Sequence, residues 1–317
     1  MDNSRIRKYF SSIGLAYFAF AAVTLMVQAA VIFLLRAVGT DVSALGTTAR
    51  LALSMGSMYL AGFPVFLLLL RRIPRCPASS EDFRPMTLGQ FGICLLICIG
   101  VMEAGNLIGN MLMGLTSLFL GRQVDNSVIS MVLQGDLIPV ILFSAVLAPV
   151  FEELMFRRLL IDRIRMFGDR TAIVVSGVLF GLIHGNFYQF FYACGLGMIF
   201  AYVYLRTGKV RTTIFLHMCI NLLGGVAGTV LLKWISAAGN SVPAALFSTM
   251  AMGLYALLLI ALAIAGLVLL LCLWNRRYLA AGAFEIPASR RFFTVFLNLG
   301  MILFFLICVL QFWMNLN

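Results

Sequence analysis

Long apolar runs follow one another through this chain with only short polar connections between them, and that pattern fixes the solvent the protein folds in. Reading for apolar runs of about 18 or more residues places them near 12–35, 51–70, 88–120, 137–160, 171–186, 187–205, 212–233, 244–273 and 292–314. Of 317 residues, 62% are hydrophobic and 11% charged, too few polar side chains to cover a water-soluble globule of this size. Inside a bilayer every backbone N–H and C=O has to be satisfied within its own segment, so the runs are expected to be helices. The fold class implied is all-α: a polytopic integral membrane protein of about eight or nine transmembrane helices. No soluble domain fits, because the longest polar connections lie near 71–87 and 274–291.

Charge sets the expected orientation. The first run follows Arg5, Arg7 and Lys8 and continues without a small-residue cleavage site, so it reads as an uncleaved anchor with a cytoplasmic amino terminus. With nine alternating crossings, Arg71, Arg72, Arg75 and Arg84, then Arg157, Arg158, Arg163, Arg165 and Arg170, then Arg206, Lys209 and Arg211, then Arg276, Arg277, Arg290 and Arg291 fall inside. That leaves four of the 23 basic residues outside, Arg36, Arg50, Arg122 and Lys233. The net charge of +11 therefore sits in short juxtamembrane loops, where it meets anionic membrane lipids; no aromatic-interleaved basic domain suggests nucleic acid. Seven scattered cysteines without CxxC spacing argue against structural disulfides and thiolate metal sites.

The stretch 137–233 differs from the membrane helices on either side, 1–136 and 234–317. It holds both histidines of the chain, His184 and His217, an adjacent carboxylate pair, Glu152-Glu153, and the densest inside charge. An ionisable group at bilayer depth costs about 2.5–3.5 kcal/mol on translocon scales and marks a functional site by default. The bland alternative places the glutamates in the headgroup zone, paired with Arg157 and Arg158.

Helix geometry separates the two carboxylates. Glu153 and Arg157 are one turn apart and can pair, whereas Glu152 points about 100° away and has Phe156 at i+4. Pro149 removes a helical hydrogen bond just before the pair. His217 and Asn221 lie at i and i+4, on one face of one helix. At about 1.5 Å per residue, Glu152 and His184 both fall roughly 20 Å along their helices from the inner end, and His217 and Asn221 fall about 9 and 15 Å from Arg211. The four groups can converge in the inner half of the bilayer. Glutamate and histidine around a water can activate it, while a second histidine and a carboxamide can stabilise an oxyanion, a set of roles that suits amide hydrolysis.

These residues carry a resemblance. Ala148-Pro149-x-x-Glu152-Glu153-x-x-Phe156-Arg157, Phe180-x-x-x-His184 and His217-x-x-x-Asn221 are similar to the three signature motifs of the CPBP family, the CAAX proteases and bacteriocin-processing enzymes also called Abi proteins. Tyr204-Leu205-Arg206-Thr207-Gly208 also resembles the family's usual loop. The match runs from Pro139 to Lys233. It implies an intramembrane endopeptidase, in a bacterial plasma membrane, acting on a peptide or lipid-anchored protein. Glu152 would be the base and His184 its partner, His217 and Asn221 oxyanion stabilisers, and Glu153 and Arg157 architectural support. No cofactor is expected: two histidines and a glutamate could hold zinc with one open position, but neither histidine pair has HExxH spacing.

Other readings stay open. A non-catalytic immunity or scaffold protein could keep the fold and sequester a peptide, and a proton-coupled transporter could use the same groups as a relay. The sequence shows no inverted repeat of the kind many transporters have. Glu103, Asn106 and Asn110 share a face that could line a cavity with Phe180, while Gly105 and Gly109 form a small-xxx-small spacing that favours close helix packing instead. Oligomeric state is not legible.

Overall fold

A computed structural model describes residues 1–41, 44–76, 83–239 and 241–316, and the described residues contain helices and no strand. In chain order the helices are α1 (Asn3–Ala37), α2 (Thr47–Leu70), α3 (Leu88–Leu120), α4 (Ser127–Gln134), α5 (Leu137–Phe167), α6 (Asp169–Leu182), α7 (Phe187–Thr207), α8 (Val210–Ala237), α9 (Val242–Arg276), α10 (Ala288–Phe296) and α11 (Leu299–Leu316). Eight of the described helices, all but α4, α6 and α10, are long and apolar enough to cross a membrane. The protein is an integral membrane protein.

The fifth apolar run is where the count differs. Helix α6 has 14 residues, about 21 Å against the roughly 30 Å of a hydrocarbon core. Its end is cut by a turn in which Gly185 takes a φ of +65° and the Asn186 side chain caps α7 by accepting from the Gln189 N–H at 2.9 Å. A Cβ on Gly177, Gly181 or Gly197 would run into the facing helix, so α6 and α7 lie backbone to backbone as an antiparallel hairpin. Both hairpin ends sit at the same level, because Asp169 pairs with Arg206. The short helix α4 was not expected from the sequence. The last run is broken at Asn298, whose amide donates to the carbonyl of Val295 at 2.8 Å and whose Oδ1 accepts from the Met301 N–H.

The basic loops gather at one end of the bundle. Arg7 donates to Leu297 O, the Tyr9 hydroxyl to Pro74 O and Arg163 O, and the Arg163 guanidinium to Leu70 O and Ile73 O. The Arg84 N–H bonds Arg206 O, and the Phe284 N–H bonds Met166 O. Groups from the sparsely charged connections meet elsewhere, as in Thr48 with Asp136 and Lys233 with Gly135 O.

Two packing seams position the centre. Gly105 and Gly109 of α3 face α7; a Cβ on Gly105 would overlap the Tyr192 backbone, and one on Gly109 would lie 2.7 Å from Phe187 O. The small-residue spacing thus lets two backbones meet, the packing role weighed for it above. Helices α1 and α11 meet through Gly14 and Gly300, the Gly300 N–H donates to Ser11 Oγ at 3.0 Å, and Tyr17 packs on Phe304. Helices α2, α5 and α8 each contain wide turns of i→i+5 bonding, at Ser57–Gly62, Ile141–Leu147, Leu154–Leu159 and Asn221–Ala227.

Candidate active site

Helix α5 turns Glu153 inward as a fully buried carboxylate. One oxygen, Oε1, lies 3.0 Å from His217 Nδ1, and the other, Oε2, lies 2.9 Å from Arg157 Nε. The Arg157 contact is electrostatic rather than an aligned hydrogen bond, and the two Nη atoms have no hydrogen-bond acceptor among the described residues. The guanidinium is instead enclosed by aromatic faces, 4.6 Å from the Phe180 centroid, 5.4 Å from that of Phe200 and 6.0 Å from that of Phe156. Such faces carry negative potential and stabilise a cation that water cannot reach.

Glu152 leaves α5 on the other side of the same imidazole. Its Oε2 is 3.7 Å from His217 Nε2, and its side chain is 17% exposed while those of Glu153 and His217 are 0% and 5%. His217 therefore stands between two carboxylates, one sealed and one accessible. His184, at the end of α6, places Nδ1 2.7 Å from Phe180 O. A carbonyl only accepts, so Nδ1 donates, which in the neutral imidazole leaves the lone pair on Nε2. Glu152 and His217 are the charged and titratable neighbours within its electrostatic reach, together with Arg157. Phe180 forms the floor beneath both histidines, with centroids 4.9 Å from His184 and 5.6 Å from His217.

Asn221 is positioned by a proline on another helix. In the wide turn of α5 the Ala148 N–H donates to Phe143 O, five residues back. The next donor in that register would be residue 149, which would bond Ser144 O, but Pro149 has no N–H. Ser144 O takes the Asn221 Nδ2 instead, at 2.9 Å. One amide hydrogen is engaged and the other is free for a ligand. Side chains reach wide-turn carbonyls elsewhere without a proline: Met155 O accepts from the Tyr17 hydroxyl at 3.1 Å beside its backbone bond from the Leu160 N–H, Phe156 O accepts from Ser176 at 2.9 Å, and in α8 Leu223 O accepts from the Tyr255 hydroxyl. Wide turns loosen carbonyls, and in lipid neighbouring side chains have to satisfy them.

The structure thus brings Glu152, Glu153, Arg157, His184, His217 and Phe180 into one cluster, with Asn221 one turn along α8. The half-buried carboxylate of Glu103 has Asn106 and, electrostatically, Tyr255 as its partners among the described residues. Asn110 is exposed and donates to Asn106 O at 2.8 Å. Sequence reasoning missed Ser144, and it missed Tyr59 and Tyr192, whose hydroxyls lie within electrostatic reach of Glu152. The signal for Ser144 was Pro149 five residues later. Among the described residues no three His, Cys, Asp or Glu side chains come together as a metal-ligand set. The Nδ1 atoms of both histidines are committed, so a cation could be offered only the two Nε2 atoms and Glu152.

Residues 134–223 match the sequence family described as type II CAAX prenyl endopeptidase Rce1-like. The chain is 27% identical over 175 residues to YdiL of Bacillus subtilis (strain 168), assigned as a membrane peptidase, covering 51% of this chain and 66% of YdiL. It is 28% identical over 115 residues to the membrane-embedded CAAX protease MroQ of Staphylococcus aureus (strain USA300), covering 34% of this chain and 47% of MroQ. The chain spans just under two thirds of YdiL and about half of MroQ. No solved structure matches it.

Proposed function

We propose that this protein, whose residues 134–223 match the Rce1-like endopeptidase family, is an intramembrane endopeptidase that hydrolyses a peptide bond in a membrane-associated or lipid-anchored peptide or protein. The observation that carries the reading is the arrangement at His217: an imidazole pinned by a sealed carboxylate at 3.0 Å and facing an accessible carboxylate at 3.7 Å. In the mechanism this supports, a water lies between Glu152 and the Nε2 lone pair of His184. Glu152 takes a proton from the water as its oxygen attacks the scissile carbonyl, and the C=O pair moves to the oxygen. His217, held by Glu153 through Nδ1, turns Nε2 toward that oxyanion as one donor, and Asn221 offers its second amide hydrogen as the other. The tetrahedral intermediate collapses as Glu152 returns the proton to the leaving amine, breaking the C–N bond. Glu153 and Arg157 hold His217 in orientation and do not touch the reacting atoms.

No metal enters this scheme. Its support is that a general base and oxyanion donors are present without one. Activity is expected to survive treatment with a strong zinc chelator, and zinc found at one per active protein and lost together with turnover would overturn that expectation. Prenylated CAAX tails, bacteriocin leaders and signalling peptides are all admissible substrates. The basic end is proposed to face the cytoplasm of a bacterial plasma membrane. A cysteine placed at Lys8 should then resist an impermeant thiol reagent in intact cells and react after lysis. For the activity itself, purified protein in detergent or liposomes is assayed against prenylated and unprenylated peptides. Glu152→Gln should lose at least about three powers of ten in kcat/KM with its fold intact; undiminished cleavage by that variant would refute the proposal.

A further inference from the structure

We infer that Asn315 is a positioning residue for His184: with Gln311 beside it, it holds the turn that carries the imidazole, so that a helix outside residues 134–223 fixes where the Nε2 lone pair points. The effect on cleavage rests on the endopeptidase reading; the hold on the turn does not.

His184 sits where α6 stops being a helix. The backbone N–H groups there are still bonded inward, Ile183 to Leu179 O at 3.1 Å, His184 to Gly181 O at 3.3 Å and Gly185 to Leu182 O at 3.1 Å. The carbonyls fare differently, because Gly185 turns to a φ of +65° and the chain leaves the helix axis. A helix end leaves its last carbonyls without backbone donors, and inside a membrane bundle side chains have to take them. Asn186 Nδ2 donates to His184 O at 2.9 Å, and Asn315 Nδ2 donates to Gly185 O at 3.1 Å. The first donor is local to the turn, whereas the second comes from α11, 130 residues further along the chain.

The Asn315 carboxamide is committed to this contact. Its Nδ2 also donates to Gln311 O at 3.1 Å, so both hydrogens of one amide go to backbone carbonyls, which only accept. That decides which end of the carboxamide faces the turn, an assignment that needs neighbours of fixed polarity. One helical turn earlier, Gln311 lies against the glycine, since a Cβ on Gly185 would come within 2.9 Å of the Gln311 Cβ. Phe312 packs on Phe187 and Phe190, with centroids 4.6 and 5.9 Å apart, just past the Asn186 cap. Three residues of α11 thus cover the turn and the start of α7.

His184 and Gly185 share a peptide bond, so the carbonyl that Asn315 holds belongs to the residue next to the imidazole. On its other side the ring is tied to α6, where Nδ1 lies 2.7 Å from Phe180 O. That second tie needs residues 180 and 184 to stay one helical turn apart. Cutting the tie to α11 frees the last turn of α6 to unwind, and the ring contact with Phe180 O is lost with it. Nε2 then no longer faces the water beside Glu152, which slows the chemical step without weakening substrate binding.

The hold is read without any turnover. The chain contains two histidines, so protein in detergent with histidine labelled at its ring nitrogens gives signals from His184 and His217 alone, and His184→Phe tells them apart. Asn315→Asp keeps the shape but sets an acceptor-only carboxylate against two carbonyl oxygens; it should move the His184 signals and leave those of His217 in place. Asn315→Leu removes the donors without adding charge and should move the same signals, whereas Met314→Leu, at an exposed neighbour, should move neither histidine. His184 signals unmoved by both Asn315 variants, or moved by Asn315→Asp alone, overturn the inference. In the cleavage assay both Asn315 variants should lower kcat at least about tenfold with KM within about twofold. A loss of yield or melting temperature with kcat per folded protein unchanged would make α11 merely structural and overturn it as well. His184 signals that follow Asn315 in a protein that cleaves nothing would sustain the hold and overturn the endopeptidase reading alone.

Discussion

Removing the charge of Arg157 is the most informative perturbation of the buried core, because both members of its ion pair are wholly out of water. At 2.9 Å two unit charges attract by about 6 kcal/mol at an effective dielectric constant of about 20, a gross figure that desolvation of the two ions largely offsets. Breaking such a pair from one side is different, since it strands the partner carboxylate; the typical cost is about 3–5 kcal/mol. At about 1.4 kcal/mol per tenfold, Arg157→Met should shift the folding equilibrium by about two to almost four powers of ten. The stranded charge is identifiable: Arg157→Met with Glu153→Gln should recover about half of the loss or more, although it disturbs His217 and stays inactive. Arg157→Lys keeps the charge but loses the planar stack on Phe180, and should fall between wild type and Arg157→Met, down by about 1–2 kcal/mol. The assay is reversible unfolding in mixed micelles, or thermal denaturation in one fixed detergent. A single variant as stable as wild type, or a double variant no better than the single, would refute the stranded-charge account.

Three further outcomes follow from the geometry. His184→Phe keeps the aromatic contact with Phe180 but removes the Nε2 lone pair; cleavage should fall by at least about two powers of ten with little change in melting temperature. Pro149→Ala restores an N–H that can bond Ser144 O, so it should raise stability by about 1–3 kcal/mol while releasing Asn221 and lowering kcat several-fold; equal activity would mean that the Asn221 carboxamide needs no such anchor. Gly105→Val drives a side chain into the Tyr192 backbone and should abolish folded yield, whereas exposed Gly114, with nothing near its Cβ position, should accept Ala without loss.

What the sequence revealed and what it hid follow one physical line. Glu153 with Arg157 could be read from spacing, because four residues is one turn wherever a helix is regular. Convergence of Glu152, His184 and His217 followed from depth along straight helices. Asn221 was legible as a polar group on the right face, but its anchor was not, since a wide turn begins at Asn221 and another opens before Pro149. Such turns depend on which neighbouring side chains can take the loosened carbonyls, a tertiary fact invisible in one segment. In the fifth run the break at residue 186 was legible, since two runs divide there; what was hidden is that Gly185 and the Asn186 cap leave α6 at 14 residues, too short to span.

The seam between α1 and α11 imposes an order on biogenesis. Its two halves are separated by nearly the whole described chain, and α1 presents Ile13 and Tyr17 to a partner that a ribosome makes only after all the helices between them. At about 5–20 residues per second, the first helix waits in the bilayer on the order of tens of seconds before that partner exists. Lipid or an insertion factor must occupy its inner face meanwhile, and this seam closes only after the helices between the two have already been threaded.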